Sequence, residues 1–280
     1  ADWRLMAFTL FLYHSIDDSG SFLSVSPAQF RAQMEAVKRS GRRVLSVAQA
    51  ADAAARGDQL SDAVAITFDD AYQSVADNAW PILRDLNMTA TVYCVSALMG
   101  QTAAWLPRQF PAIFGDDPAL AMAEFDQSIG VAAIKDRALA ADPIGAFRIS
   151  ANLPIMTWDT ARDLIAEGMD VGGHTQTHPY LTHLDPSERT TEIRADRYAL
   201  QDGLGHAVTT FAYPFGDHDA ATCKAVADAG YSAAVTSAPG AVRSPSARPF
   251  EWARIGVWPQ VSSWKMRLYL SRFYALARPA

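Results

Sequence analysis

Two adjacent carboxylates, Asp69 and Asp70, end an apolar run from Ala63 to Phe68. Like charges this close are costly unless a cation or a proton makes their states differ. Their partners are sought in Gly172-Gly173-His174-Thr175-Gln176-Thr177-His178-Pro179. Two histidines four apart can meet one cation, and neutral imidazole is a common zinc ligand. By themselves His174 and His178 would pass for surface residues, and the diglycine before them and Pro179 after them argue for a loop. Two His and one Asp give three protein ligands and leave a position open for water. The remaining carboxylate could then accept a proton from a water whose pKa the metal lowers toward ~7, which is machinery for hydrolysis at a carbonyl. A third stretch, Phe211-Ala212-Tyr213-Pro214-Phe215-Gly216, holds its backbone rigidly, and an N–H there could serve an oxyanion. Pro and Gly mark any turn, so this stretch is uninformative in isolation.

These clusters need elements to bring them together. Leu5 to Tyr13 is an apolar run closing on His14, Asp17 and Asp18, and it reads as a first strand. Ser26-Pro27-Ala28-Gln29 predicts a helix start with a capping box, and Gly41 a stop. Arg43 to Val47 predicts a short strand, Ser46 to Arg56 a helix, and Ala63 to Phe68 a buried strand. Tyr72 to Leu86 is helical in pattern, although Pro81 must kink or divide it. Thr89 to Val95 is the next strand. Further strands are expected at Met169 to Val171, Val208 to Tyr213, Ala233 to Ser237 and Arg254 to Val257. Helices are expected at Trp158 to Glu167, Asp185 to about Gly203, Asp219 to Ala229 and Ser263 to Ala277. This alternation is the mark of a parallel α/β sheet or barrel, whose strand ends converge on one face. Between about Gly100 and Pro154 the rhythm fails, and Pro-bounded, Ala-rich helical material predicts an insertion over one end of the barrel.

The whole chain sets the bounds. Its 280 residues form one domain in the simplest account, with half of them apolar and 19% charged. A net charge of -6 argues against nucleic acid as a partner, and no apolar stretch approaches the ~20 residues of a membrane span. Cys94 and Cys223 have no metal-ligand spacing, and Cys94 reads as a buried thiol. No basic-plus-apolar signal peptide is visible in this sequence, and compartment and oligomeric state are not legible. Trp105, Trp158, Trp252 and Trp258 could stack on sugar rings, although most aromatics fill core.

The Thr67-Phe68-Asp69-Asp70, His174-to-Pro179 and Tyr213-to-Gly216 stretches, in this order, resemble the polysaccharide deacetylase family, the fourth carbohydrate-esterase family with its NodB-like domain. The resemblance runs from Tyr13-His14 to Arg254-Ile255, with the 100–154 insertion outside it. It implies an α/β fold, a distorted (β/α) barrel of about seven parallel strands, and a divalent metal, usually zinc. It also implies removal of acetyl groups from N-acetylated, or sometimes O-acetylated, sugars of a poly- or oligosaccharide. Carried over by motif, Asp69 would be the base and Asp70, His174 and His178 the metal ligands. Thr175 would steady the loop between the histidines, Phe215 would offer its N–H to the oxyanion, and Tyr213 and Pro214 would shape that turn. Two departures stand out. Where many members carry an Arg in the third motif, this chain has Ala212, so Arg254 is expected to approach Asp69 from a neighbouring strand. No histidine follows His218 to serve as the general acid of a final Leu-x-x-His motif. His14 is the candidate for that place, against the alternative of a core or capping histidine. The Tyr13-His14 pair also resembles members acting on exported β-1,6-linked glucosamine polymers. His183, His206 and His218 are expected at the surface.

Overall fold

The computed structural model describes residues 7–103 and 152–271. Most of the expected insertion, Trp105 with it, lies outside the described residues, as do the start of the first expected strand and the end of the last expected helix. Strands β1 (Thr9–Tyr13), β3 (Ala63–Phe68), β4 (Thr91–Cys94), β5 (Asp170–Gly173), β6 (Thr210–Ala212), β7 (Ala233–Val235) and β8 (Ile255–Gly256) form one parallel sheet in the order β7-β6-β5-β4-β3-β1-β8. Short β2 (Arg43–Val44) adds to β3. All of β3 is buried, which is why it reads as a continuous apolar run rather than an alternating one.

The sheet curls toward closure through one segment that changes neighbours. Trp252 first bridges to β7, its N–H donating to Ala234 O at 3.0 Å while its carbonyl accepts from Thr236 N at 2.8 Å. Three residues later the chain pairs with β1, Phe11 opposite Ile255 and Leu12 opposite Gly256. The result is a distorted (β/α) barrel, and Arg254 sits at the hand-over between its two ends.

Helices α1 (Pro27–Arg39), α2 (Val47–Ala55), α3 (Trp80–Asp85), α4 (Trp158–Ala166), α5 (Pro186–Leu204), α6 (Ala220–Asp228) and α7 (Ser263–Tyr269) surround the sheet. Their starts follow the expected chemistry, with Ser26, Ser46, Thr157, Asp185, Asp219 and Ser262 as N-caps. Only half of the box expected at α1 forms: Ser26 accepts from Gln29 N, while the Gln29 amide donates to Pro259 O and Val261 O at 2.8 and 2.9 Å. A long-range pair of carbonyls outbids the local cap. Pro81 divides the expected Tyr72–Leu86 helix, leaving a π turn at Val75–Ala79 before α3, because its ring nitrogen cannot donate to the previous turn. Helix α5 runs on to Gly205, whose φ of 62° ends it, whereas Gly203 packs on the Trp158 ring.

Gly172 and Gly173 lie inside β5, as strand rather than loop, and close approach explains them. A Cβ on Gly172 would sit 2.3 Å from the Tyr93 ring and 2.9 Å from Thr210 O. Gly172→Ala is expected to cost about 1–3 kcal/mol through overpacking. That should lower Tm by roughly 2–4 °C per kcal/mol in thermal denaturation; an unchanged Tm would mean that Tyr93 swings aside freely.

Candidate active site

The C-terminal ends of β1, β3, β5 and β6 meet on one face of the barrel, and the backbone there is bent to suit the side chains. Asp69 continues the line of β3, its N–H donating to Tyr13 O at 3.0 Å. Asp70 and Ala71 then adopt φ of 69° and 53°. The left-handed turn sends the second carboxylate in a different direction from the first. Thr175, His178 and Phe215 also have positive φ, at 66°, 63° and 58°. Such conformations cost on the order of 1–2 kcal/mol each for non-glycine residues, and they concentrate at sites where the direction of a side chain or an N–H matters. The segment returning from beyond residue 151 pins the Asp70 turn: Met156 N donates to Ala71 O at 2.9 Å and Gln73 N to Pro154 O at 2.8 Å.

Asp70, His174 and His178 are all buried, and one ligand atom from each lies within 4.8 Å of the others. Both Nε2 atoms stand 3.4 Å from Asp70 Oδ1. That oxygen is buried and has no hydrogen-bond partner. His174 Nδ1 is 2.7 Å from Ala212 O, which assigns its proton to Nδ1 and leaves Nε2 as a donor pair for a cation. Thr175 Oγ1 accepts from His178 N at 3.0 Å, closing the loop between the two histidines. Burial pushes the His178 imidazole down to about 3, toward the neutral form that metals bind. Burial also opposes charge on Asp70, but the His174 and His178 partners outweigh it and hold the carboxyl below its usual range. An anionic oxygen without a proton partner, facing two imidazole nitrogens, fits a divalent cation.

Asp69 is spoken for differently. Arg254, fully buried, donates from Nη1 to Oδ1 at 2.6 Å and from Nη2 to Oδ2 at 2.7 Å. Its Nε donates to Thr236 O at 2.8 Å, so the guanidinium plane is fixed. Burial would raise the Asp69 pKa, yet Arg254 and then His174 lower it below the usual range. The expected approach of Arg254 is therefore the observed one, with the acid pair split between an arginine and two histidines.

The Pro214–Gly216 turn stacks the Phe215 ring edge-on to His178, centroids 4.6 Å apart, and face-on to Tyr180 at 4.2 Å. Tyr213 is buried and donates to Phe250 O at 3.0 Å, and Pro214 is buried beside it. His14 is half-buried and stacks on Trp258, with 5.4 Å between centroids. Its Nδ1 has no hydrogen-bond partner, and burial keeps the ring toward neutral against the pull of Asp70 and Asp69. Among the other expected residues, Trp252 is core, packed edge-on to Phe8. His183 and His206 are exposed, but His218 is half-buried, stacked on Tyr213 with its Nδ1 2.7 Å from Gly216 O.

The sequence pattern of the polysaccharide deacetylase family matches residues 56–234. The chain belongs to the polysaccharide deacetylase family. It is 25% identical over 234 residues to the "Putative polysaccharide deacetylase YxkH" of Bacillus subtilis, covering 83% of this chain and 65% of that one. Over 86 residues it is 33% identical to the poly-β-1,6-N-acetyl-D-glucosamine N-deacetylase of Escherichia coli K12, covering 29% of this chain and 13% of that one. The chain thus spans less than two thirds of the length of these curated relatives. Two solved structures share the fold: the Streptococcus pyogenes deacetylase PplD in complex with acetate (TM-score 0.69, 20% identity, 95% and 98% of the two chains covered) and IcaB from Ammonifex degensii (TM-score 0.71, 18%, 95% and 97%).

This family member carries one arrangement that sequence reasoning did not single out. Helix α5 sends Arg189, Glu192 and Asp196 back to the histidine loop. Arg189 donates to Leu181 O and Leu184 O at 2.9 and 3.1 Å. Glu192 accepts from Thr177 N and Thr177 Oγ1 at 2.9 and 2.7 Å. Asp196 is fully buried, and burial pushes its carboxyl up to about 7 against its hydrogen bonds. A signal existed: Asp196 falls on the stripe Ile193, Leu200, Leu204 that faces the core, where a lone acid is out of place.

Proposed function

We propose that this protein is a metal-dependent hydrolase that removes acetyl groups from N-acetylated sugars of a polysaccharide or glycoconjugate. The observation that supports it most is the split of the acid pair, with Asp70 turned to His174 and His178 while Asp69 is held by Arg254. Asp70, His174 and His178 would hold the ion, and two imidazoles with one carboxylate and an open position suit zinc. When bound, a divalent ion supplies Lewis acidity toward an acetamide carbonyl and acidifies water.

The chain's own groups account for the rest. Asp69, ionised across the neutral range, takes the proton of the attacking water. The Phe215 N–H, in a turn where that residue takes a φ of 58°, would donate to the carbonyl oxygen as negative charge develops there. The carbon–nitrogen bond then breaks, and the departing amine needs a proton. His14, neutral at rest and within electrostatic reach of Asp69, would carry the proton that Asp69 received to that nitrogen. Products are the free amino sugar and acetate. Trp258, stacked on His14, forms a wall of this corner. The N-deacetylase activity named for the Escherichia coli relative supports an N-acetylated glucosamine polymer as the first substrate to try.

The test is acetate release from a panel of N- and O-acetylated oligosaccharides, with and without a chelator. Chelator-sensitive release from the N-acetylated members is the expected result. Chelator-insensitive or absent release with retained glycan binding would point to a binding protein instead. His178→Ala should abolish release and weaken zinc uptake in a calorimetric titration by at least about 10–100-fold. Zinc bound by that variant as tightly as by the wild type would exclude the proposed ligand set.

A further inference from the structure

We infer that Asp196 is a positioning residue for the metal site, holding the backbone of His174 from outside the ligand set. The Asp196 carboxylate lies between two strand ends. Oδ1 accepts from Ser96 N at 3.1 Å, just past β4, and Oδ2 accepts from His174 N at 3.0 Å, just past β5. The same His174 N–H also reaches Cys94 O at 3.0 Å in the β4–β5 ladder. His174 is thereby held at both ends, its backbone by Asp196 and Cys94 and its ring by Ala212 O.

Strand pairing alone would leave this junction loose, because the ladder ends there and both chains turn away. A carboxylate with two acceptor oxygens can bridge two N–H groups that point the same way, which no neutral side chain of that size does equally. The fit is close. A Cβ on Gly173 would lie 2.7 Å from Asp196 Oδ2 and 2.2 Å from the Tyr231 hydroxyl, so the strand leaves room for the carboxylate only because residue 173 has no side chain. Glu192, one turn earlier on α5, holds the same loop further out at Thr177, and its carbonyl accepts from Gln176 N at 3.2 Å. Helix α5 therefore carries the orientation of the histidine loop, with Asp196 at the innermost point. Partners that orient metal ligands are worth about 10–100-fold in metal affinity or activity.

The inference rests on the metal reading above, and the experiment separates the two. Apo-protein is titrated with zinc by calorimetry and with cobalt by visible absorption, for the wild type, Asp196→Asn and Asp196→Ser. Asparagine keeps the shape but turns one acceptor into a donor facing an N–H. Serine leaves a small polar group and room for a bridging water, should the asparagine variant not fold. Both are expected to weaken zinc binding by about 10–100-fold and to alter the cobalt spectrum. Wild-type affinity and an unchanged spectrum in a folded variant, with only Tm lowered, would overturn the inference and make Asp196 a packing residue. Failure of the wild type to bind either ion would instead overturn the metal reading.

Discussion

Asp69→Asn is expected to lower kcat/KM by about 10²–10⁴-fold while the protein still takes up zinc. The asparagine could not accept the proton of the attacking water, whereas the oxygen and nitrogen atoms that would face the ion belong to Asp70, His174 and His178. The substitution has a second consequence. Arg254 is fully buried and gives both terminal nitrogens to Asp69. An amide returns only one acceptor and leaves a buried guanidinium without its counter-charge, a loss of about 3–5 kcal/mol for pairs of this kind. Activity must therefore be compared at a temperature where circular dichroism shows the variant folded. Near-wild-type turnover per folded molecule would remove Asp69 from the role of base. Lost turnover together with lost zinc would mean that both acids serve the ion.

How far this was legible from the sequence depends on the range of the interaction. The strand Ala63–Phe68 is legible to the residue, because a strand buried on both faces has no solvent-facing positions to interrupt its run. Helix starts are legible because a cap is a contact across three residues. Gln29 shows the limit: its amide has a local partner in the pattern and two better ones in the chain around Val261, more than two hundred residues away. Asp70 illustrates a different limit. Adjacency gave no hint of how two neighbouring carboxylates could diverge; the answer is a φ of 69°, a backbone choice that aspartate tolerates but does not announce. Arg254 could be placed near Asp69 only by analogy with an arginine missing at Ala212. What brings it there is the segment that leaves β7 and joins β1, a closure that no local pattern encodes. Asp196 sits among Arg194, Ala195 and Arg197, where an acid looks like part of a solvated helix face until its register against Ile193 and Leu200 is counted.

Arg254→Met tests the other half of the pair, and its signature is a change of sign with pH. In the wild type the Asp69 pKa lies below its ordinary value of ~3.9, because Arg254 and His174 outweigh burial. The pair's contribution to stability is then present above that ordinary value and is lost as pH falls through the lower folded one. Methionine fills much of the space but brings no charge. Burial, the largest single influence on this carboxyl, is left opposed chiefly by the histidines, and the pKa rises. A group whose folded pKa exceeds its unfolded one loses stability as pH rises through it. Urea denaturation should therefore show the variant's deficit growing from pH 4 to pH 7, toward about 3–5 kcal/mol at neutral pH. The acid limb of kcat/KM should move to higher pH, since Asp69 must be ionised to act as a base. A deficit independent of pH would mean that the arginine matters for packing and for its bonds to Thr236 O and Thr67 Oγ1 rather than for the charge on Asp69. The double variant Asp69→Asn/Arg254→Met decides between these, since with neither charge left the losses should fall well short of the sum of the two single changes.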